Sequence, residues 1–124
     1  MNPQAMILSE QDMEDLGVYY ESMSRSPGAA DESLVELGKK IYQGGNAESG
    51  VAACIACHGP KGNGNPVSGY PKISYQHKAY MVERLKAYRA GTYTYPTSEI
   101  MNSLAKPLTD EEIEAVSSYV QGLH

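Results

Sequence analysis

The chain has 124 residues, which bounds it at about one ordinary domain, and its 10 Lys and Arg against 15 Asp and Glu give a formal net charge of −5. That balance excludes a basic nucleic-acid binder. Hydrophobic residues total 41% and all ten aromatics are Tyr, a lean supply for a self-sufficient core, so something besides side chains is expected to help fill the interior.

Four segments carry a helical pattern, separated by loops rich in Gly and Pro, and none reads as a strand. The first starts at about Ser9, an N-cap with Asp12 in the box position, and repeats Met13, Leu16, Tyr20 and Met23 on one face. Residues 24–33, SRSPGAADES, read as a linker. A second helix is expected from about Ser33, with Leu34, Leu37, Gly38 and Ile41 on one face and Gly44-Gly45 as its stop. A third spans about Tyr75 to Ala90, with Met81, Leu85 and Tyr88 inward and Gly91 beyond its end. The last opens on a capping box of Thr109 and Glu112 and turns Ile113, Val116, Val120 and Leu123 inward. No apolar run is long enough to span a membrane, and residues 1–13 lack the charged and apolar regions of an export leader, so any such signal is expected to have been removed.

Between the second and third helices lie both cysteines, in the string Cys54-Ile55-Ala56-Cys57-His58. Two thiols three residues apart on a tight turn can add to the two vinyl groups on one edge of a haem, with the following His under the ring to offer a nitrogen to iron. The competing readings are weaker. A thioredoxin-like dithiol wants a βαβ setting, a structural zinc wants four ligands when only His77 and His124 are left, and a disulfide across two residues is strained. Covalent haem is the favoured reading. Residues 1–32 hold a net charge of −6, whereas residues 33–106 hold +5. The basic middle is either ordinary solvation or a steering surface for an acidic partner.

A second feature is an internal repeat at an offset of 100. It lays MNPQAMILSEQDMEDLGVYYESM over MNSLAKPLTDEEIEAVSSYVQGL, with Met1/Met101, Asn2/Asn102, Ala5/Ala105, Leu8/Leu108, Glu14/Glu114 and Tyr19/Tyr119 identical and Ser9/Thr109 as matching caps. One CxxCH is present, so the chain reads as the end of one unit (1–23), a linker (24–32) and a whole second unit (33–124).

These residues resemble class I cytochrome c, and more narrowly the second half of the two-haem cytochrome c4 family. The resemblance rests on CxxCH, on GGNAESGVAACIACHGPKGNGNPVSGYPKIS, on the ending MNSLAKPLTDEEIEAVSSYVQGL, and on Gly38 and Tyr42 facing Val116 and Tyr119. It implies an all-α fold, a few helices around one covalent haem c with the first and last helices crossing. It further implies that Cys54 and Cys57 are the thioether anchors, His58 the proximal iron ligand and Met101 the distal one. By the same resemblance the Pro71 carbonyl orients the His58 ring. Tyr75 and Gln76 are expected haem contacts, and Tyr93 stands where the family often has an arginine, which bears on any propionate contact there.

The residues agree on Met101, which is expected in a loop, free to wrap to the far haem face, where a thioether favours reduced iron. His77 is the rival ligand. Met81 reads as core, and Met6, Met13 and Met23 suit apolar packing. The expected function is one-electron transfer, without catalysis, in the bacterial periplasm, where haem of this type is attached. The expected partners are redox proteins with an acidic docking surface, such as a terminal oxidase or another respiratory component, met through Lys61, Lys72 and Lys78. The alternatives are a five-coordinate ligand-sensing haem domain and an electron-entry module of a larger enzyme.

Overall fold

The computed structural model describes residues 2–94 and 98–124. Met1, paired with Met101 in the repeat, lies outside the described residues. In chain order the helices are α1 (Asn2–Ala5), α2 (Glu10–Glu21), α3 (Glu32–Gly44), α4 (Ile55–His58), α5 (Lys78–Arg89), α6 (Glu99–Ala105) and α7 (Asp110–Gln121), with one 3-10 turn at Pro66–Ser68. No strand occurs among the described residues; two isolated bridges, Asn46 with Val51 and Asn65 with Tyr70, close loops.

The caps set the helix starts. The Asp31 side chain accepts from the Ser33 amide at 3.0 Å and starts α3 one residue ahead of the expected Ser33. The Thr109 amide donates to Glu112 Oε2 at 2.9 Å and the Glu112 amide to Thr109 Oγ1 at 3.1 Å, the box expected for α7. Helix α5 differs from expectation: it begins at Lys78, not near Tyr75, because Tyr75 has φ +66° and cannot continue a right-handed helix. Gly91, at φ +66°, follows its C-cap Ala90.

Helix α3 packs against α7, and α5 packs against both α6 and α7. Ile41, Tyr42, Leu85, Ile113, Val116 and Val120 form the buried centre. The α3 to α7 crossing is close because of Gly38. A Cβ there would fall on the Ala115 carbonyl oxygen and come within 2.7 Å of Tyr119 Cβ. Next to it the Tyr42 and Tyr119 rings meet at 5.4 Å. Glu112, 6% exposed, ties the first turn of α7 to the loop just after α3 by accepting from Asn46 Nδ2 at 2.8 Å. Burial opposes its ionisation, but the bonds from Asn46 and Thr109 outweigh it and hold the carboxyl below its ordinary value. The tie is therefore in force at neutral pH and is lost as pH falls through that lowered value.

Gln121, at the end of α7, clasps two other segments. Its Oε1 accepts from the Lys78 amide at 2.8 Å, supplying the bond that the N-cap His77 side chain does not, and its Nε2 donates to Ala29 O at 2.8 Å. The Asp31 amide donates to Ser118 Oγ at 2.9 Å. The end of the expected linker thus lies against α7.

Residues 2–23 repeat the local structure of 102–123. Helix α2 covers the positions of α7 shifted by 100, with the box between Ser9 and Asp12. The turn before it repeats too, Leu8 N to Ala5 O at 3.2 Å and Leu108 N to Ala105 O at 3.1 Å. Burial does not repeat. Tyr20 is 63% exposed where Val120 is 1%, and the expectation that Met6, Met13 and Met23 pack in an apolar interior is corrected, since all three are exposed. Helix α2, which carries Met13, packs against no other described helix.

Replacing Gly38 by Ala should cost about 1–3 kcal/mol, the range for overpacking a tight contact. Denaturant unfolding should show a lower midpoint with little change in slope.

Candidate functional site

The residues singled out in the sequence come together around one cavity of about 460 Å³, a size that suits a large organic cofactor. Its walls are mostly apolar, with Leu85, Leu104, Val116 and Val120 contributed by α5, α6 and α7. Cys54, Cys57 and His58 border it from the α4 turn, and Met101 from α6.

The turn holding the cysteines is fixed from both sides. The His58 amide donates to Cys54 O at 3.0 Å and the Gly64 amide to His58 O at 2.9 Å. Gly64 has φ +71°, and a Cβ there would lie 2.6 Å from the Pro71 carbonyl carbon, so glycine lets the loop backbone at Tyr70 and Pro71 approach the turn. Tyr42, fully buried in α3, donates its hydroxyl to Gly59 O at 2.6 Å, directly after His58. Burial pushes the Tyr42 phenol up to about 12, so it stays a neutral donor.

His58 is buried, and its Nδ1 lies 2.9 Å from Pro71 O. A carbonyl only accepts, so Nδ1 carries the proton, and in the neutral ring Nε2 keeps a lone pair for a metal. Burial also raises the Cys54 thiol to about 11. A thiol held neutral at physiological pH is a poor redox nucleophile, which argues against the dithiol reading. Among the described residues no group of three or more His, Cys, Asp or Glu is placed to hold a metal ion, which argues against structural zinc.

Two placements differ from expectation. Met101 sits in helix α6, not in a loop; the helix has only seven residues and its N-cap Ser98 makes no side-chain capping bond, its Oγ donating to Tyr93 O instead, so neither period nor cap announces it. It still borders the cavity. Tyr75, expected to contact a haem, is not among the lining residues; its ring lies 5.7 Å from that of His124 and 5.7 Å from Lys72 Nζ. Gln76 and Pro71 do line the cavity. His77, the rival ligand, is exposed at the N-cap of α5 and does not line it. Met81 borders the cavity and packs on the core.

Sequence reasoning passed over Tyr80 and Arg84, which join Tyr88 in lining the cavity. Their spacing of four along α5 was the available signal. An apolar cavity bordered by two thiols, an imidazole with a free nitrogen and a thioether fits a covalently attached haem.

Comparison with known proteins agrees. The sequence model of the cytochrome c family matches residues 35–124. The chain is 43% identical over 118 residues to cytochrome c4 of Stutzerimonas stutzeri, covering 94% of this chain and 56% of that protein. It is 41% identical over 124 residues to cytochrome c4 of Thiocapsa roseopersicina, covering 99% and 65%. The crystal structure of reduced recombinant cytochrome c4 from Pseudomonas stutzeri matches with a TM-score of 0.88 at 43% identity, over 94% of this chain and 62% of that one. The chain therefore spans about half to two thirds of the length of these relatives.

Tyr42→Phe should lower stability by about 0.5–1.5 kcal/mol, since it removes one part-buried hydrogen bond while the Gly59 carbonyl keeps the Gly62 amide as a donor at 3.2 Å. Denaturant unfolding against the parent protein measures it.

Proposed function

Because the chain belongs to the cytochrome c family, whose prosthetic group is covalently bound haem c, we propose that it is a carrier of single electrons. When bound, the haem supplies an iron that passes between two oxidation states. In this reading Cys54 and Cys57 would hold the group by thioether bonds, and His58 through Nε2 and Met101 through its sulfur would be the residues that bind the iron. The Pro71 carbonyl positions His58 by holding its Nδ1 proton. Leu85, Leu104, Val116 and Val120 exclude water, which together with two fixed ligands keeps reorganisation small and leaves no site for substrate. The observation that carries the reading is the convergence of CxxCH and Met101 on one apolar cavity.

Ile100 lines the cavity and is 58% exposed, which supports a contact edge there. Lys61 and Lys72 are exposed and serve as the docking rim for an acidic redox partner. Lys78 belongs to it less, since its ammonium lies 3.0 Å from Glu114. Residues 1–23 are read as the closing helices of a preceding unit of the same kind, supported by their matching caps and turns. No helix among the described residues is long and apolar enough to cross a membrane. A periplasmic location follows from where haem c is attached.

Made with haem-maturation machinery, the protein should gain the mass of one haem, and its reduced form should refuse carbon monoxide at neutral pH. Met101→Ala should bind it rapidly. Rapid binding by the parent protein supports the ligand-sensing alternative instead, and an unmodified mass ends the haem reading.

Electron exchange with an acidic partner should slow as ionic strength rises, and Lys61→Gln with Lys72→Gln should flatten that dependence. Stopped-flow rates at several salt concentrations measure both.

A further inference from the structure

The loop that follows the cysteine turn carries the pair Asn63-Gly64, which the electron-carrier reading does not use. An asparagine before a glycine can modify itself. The Gly64 nitrogen, once it has given up its proton, attacks Asn63 Cγ; ammonia leaves, and water opens the resulting succinimide ring to aspartate or isoaspartate. Glycine favours the attack because no Cβ hinders the nitrogen. The other asparagines are worse placed. Asn2 and Asn65 precede prolines, which have no N–H to give up. Asn102 lies within α6, and the Asn46 side-chain amide is bound to Glu112.

Asn63 is exposed, so water reaches it, and its Oδ1 lies 3.5 Å from Ser74 Oγ, at the limit of a hydrogen bond. The backbone around it is held much more firmly. The Gly64 amide donates to His58 O at 2.9 Å, and the Gly62 carbonyl accepts from the Ile73 and Ser74 amides at 2.8 and 3.0 Å. The nucleophile is thus committed to a carbonyl, and both peptide groups flanking Asn63 are pinned. We propose that Asn63-Gly64 is a site of spontaneous deamidation whose gate is the bond from the Gly64 amide to the His58 carbonyl. While the turn is closed, the nitrogen is held and Asn63 persists. When the turn opens, the nitrogen is released and reaction competes with reclosing. The product then opposes closure, because isoaspartate routes the backbone through the former side chain and lengthens it by a carbon just ahead of Gly64. Either product also places a new carboxylate close in sequence to Lys61.

Peptide mass spectrometry tests this on the haem-loaded protein, sampled over time beside the same protein unfolded in urea. Deamidation reads as the mass gained when the amide NH2 becomes OH, in the peptide that contains Asn63. Hydrogen exchange of the Gly64 amide, followed by NMR at the same pH and temperature, is the second measurement. Exchange and attack both need that N–H freed from His58. The folded protein should therefore deamidate at Asn63 more slowly than the unfolded chain by about tenfold or more, and by the same factor as exchange at Gly64 is slowed. Asn63→Gln should remove the modification from that peptide. Equal folded and unfolded rates overturn the proposal. So does a slowing that departs from the protection of Gly64, which puts the gate elsewhere. Earlier loss of ammonia at another asparagine of the unfolded chain overturns the choice of site.

Discussion

The contact at Gly38 is the constraint on which the rest depends. With no side chain at that position, α3 can lie on the backbone of α7 beside Ala115, and the two ends of the haem-binding unit are joined. Residues 45–109 must then leave from one helix and return to the other. In doing so they wrap the cysteine turn, α5 and α6 around a space that these short helices do not fill. Tyr42 carries the constraint inward, packing on Tyr119 at the crossing and donating to Gly59 beside His58. A single close approach thus fixes the place of the turn that carries His58.

Much of this was legible because it is local. CxxCH needs only a turn, and the capping boxes at Ser9 and Thr109 need only four residues each, so both stand in the structure as the sequence implies. The Pro71 contact also has a local cause, since the Gly64 approach delivers that carbonyl to His58. The rest depended on partners far away in sequence. Helix α6 has too few residues to show a period, and Tyr75 adopts a left-handed conformation that no feature of YQHK announces. The place of Arg84 on the cavity wall beside Tyr93 needed the fold to become visible.

Helices α2 and α7 separate two things that sequence patterns merge. Each has the same box, the same preceding turn and the same spacing of apolar residues. Only α7 buries them, because only α7 meets α3 and α5. A helical stripe therefore predicts that a face wants covering, and the partner that covers it has to come from elsewhere.

The Gln121 amide has a geometric consequence. By holding Ala29 against the start of α5, while the Arg25 guanidinium lies 5.9 Å from the centre of the Tyr75 ring, it leaves only the few residues just after α2 as a tether ahead of the haem-binding unit. Whatever is joined through that tether is leashed at one fixed point on the surface, within a short reach of it. One amide at the chain's far end thereby limits how widely helix α2 can roam over the unit it precedes, and raises how often the two meet.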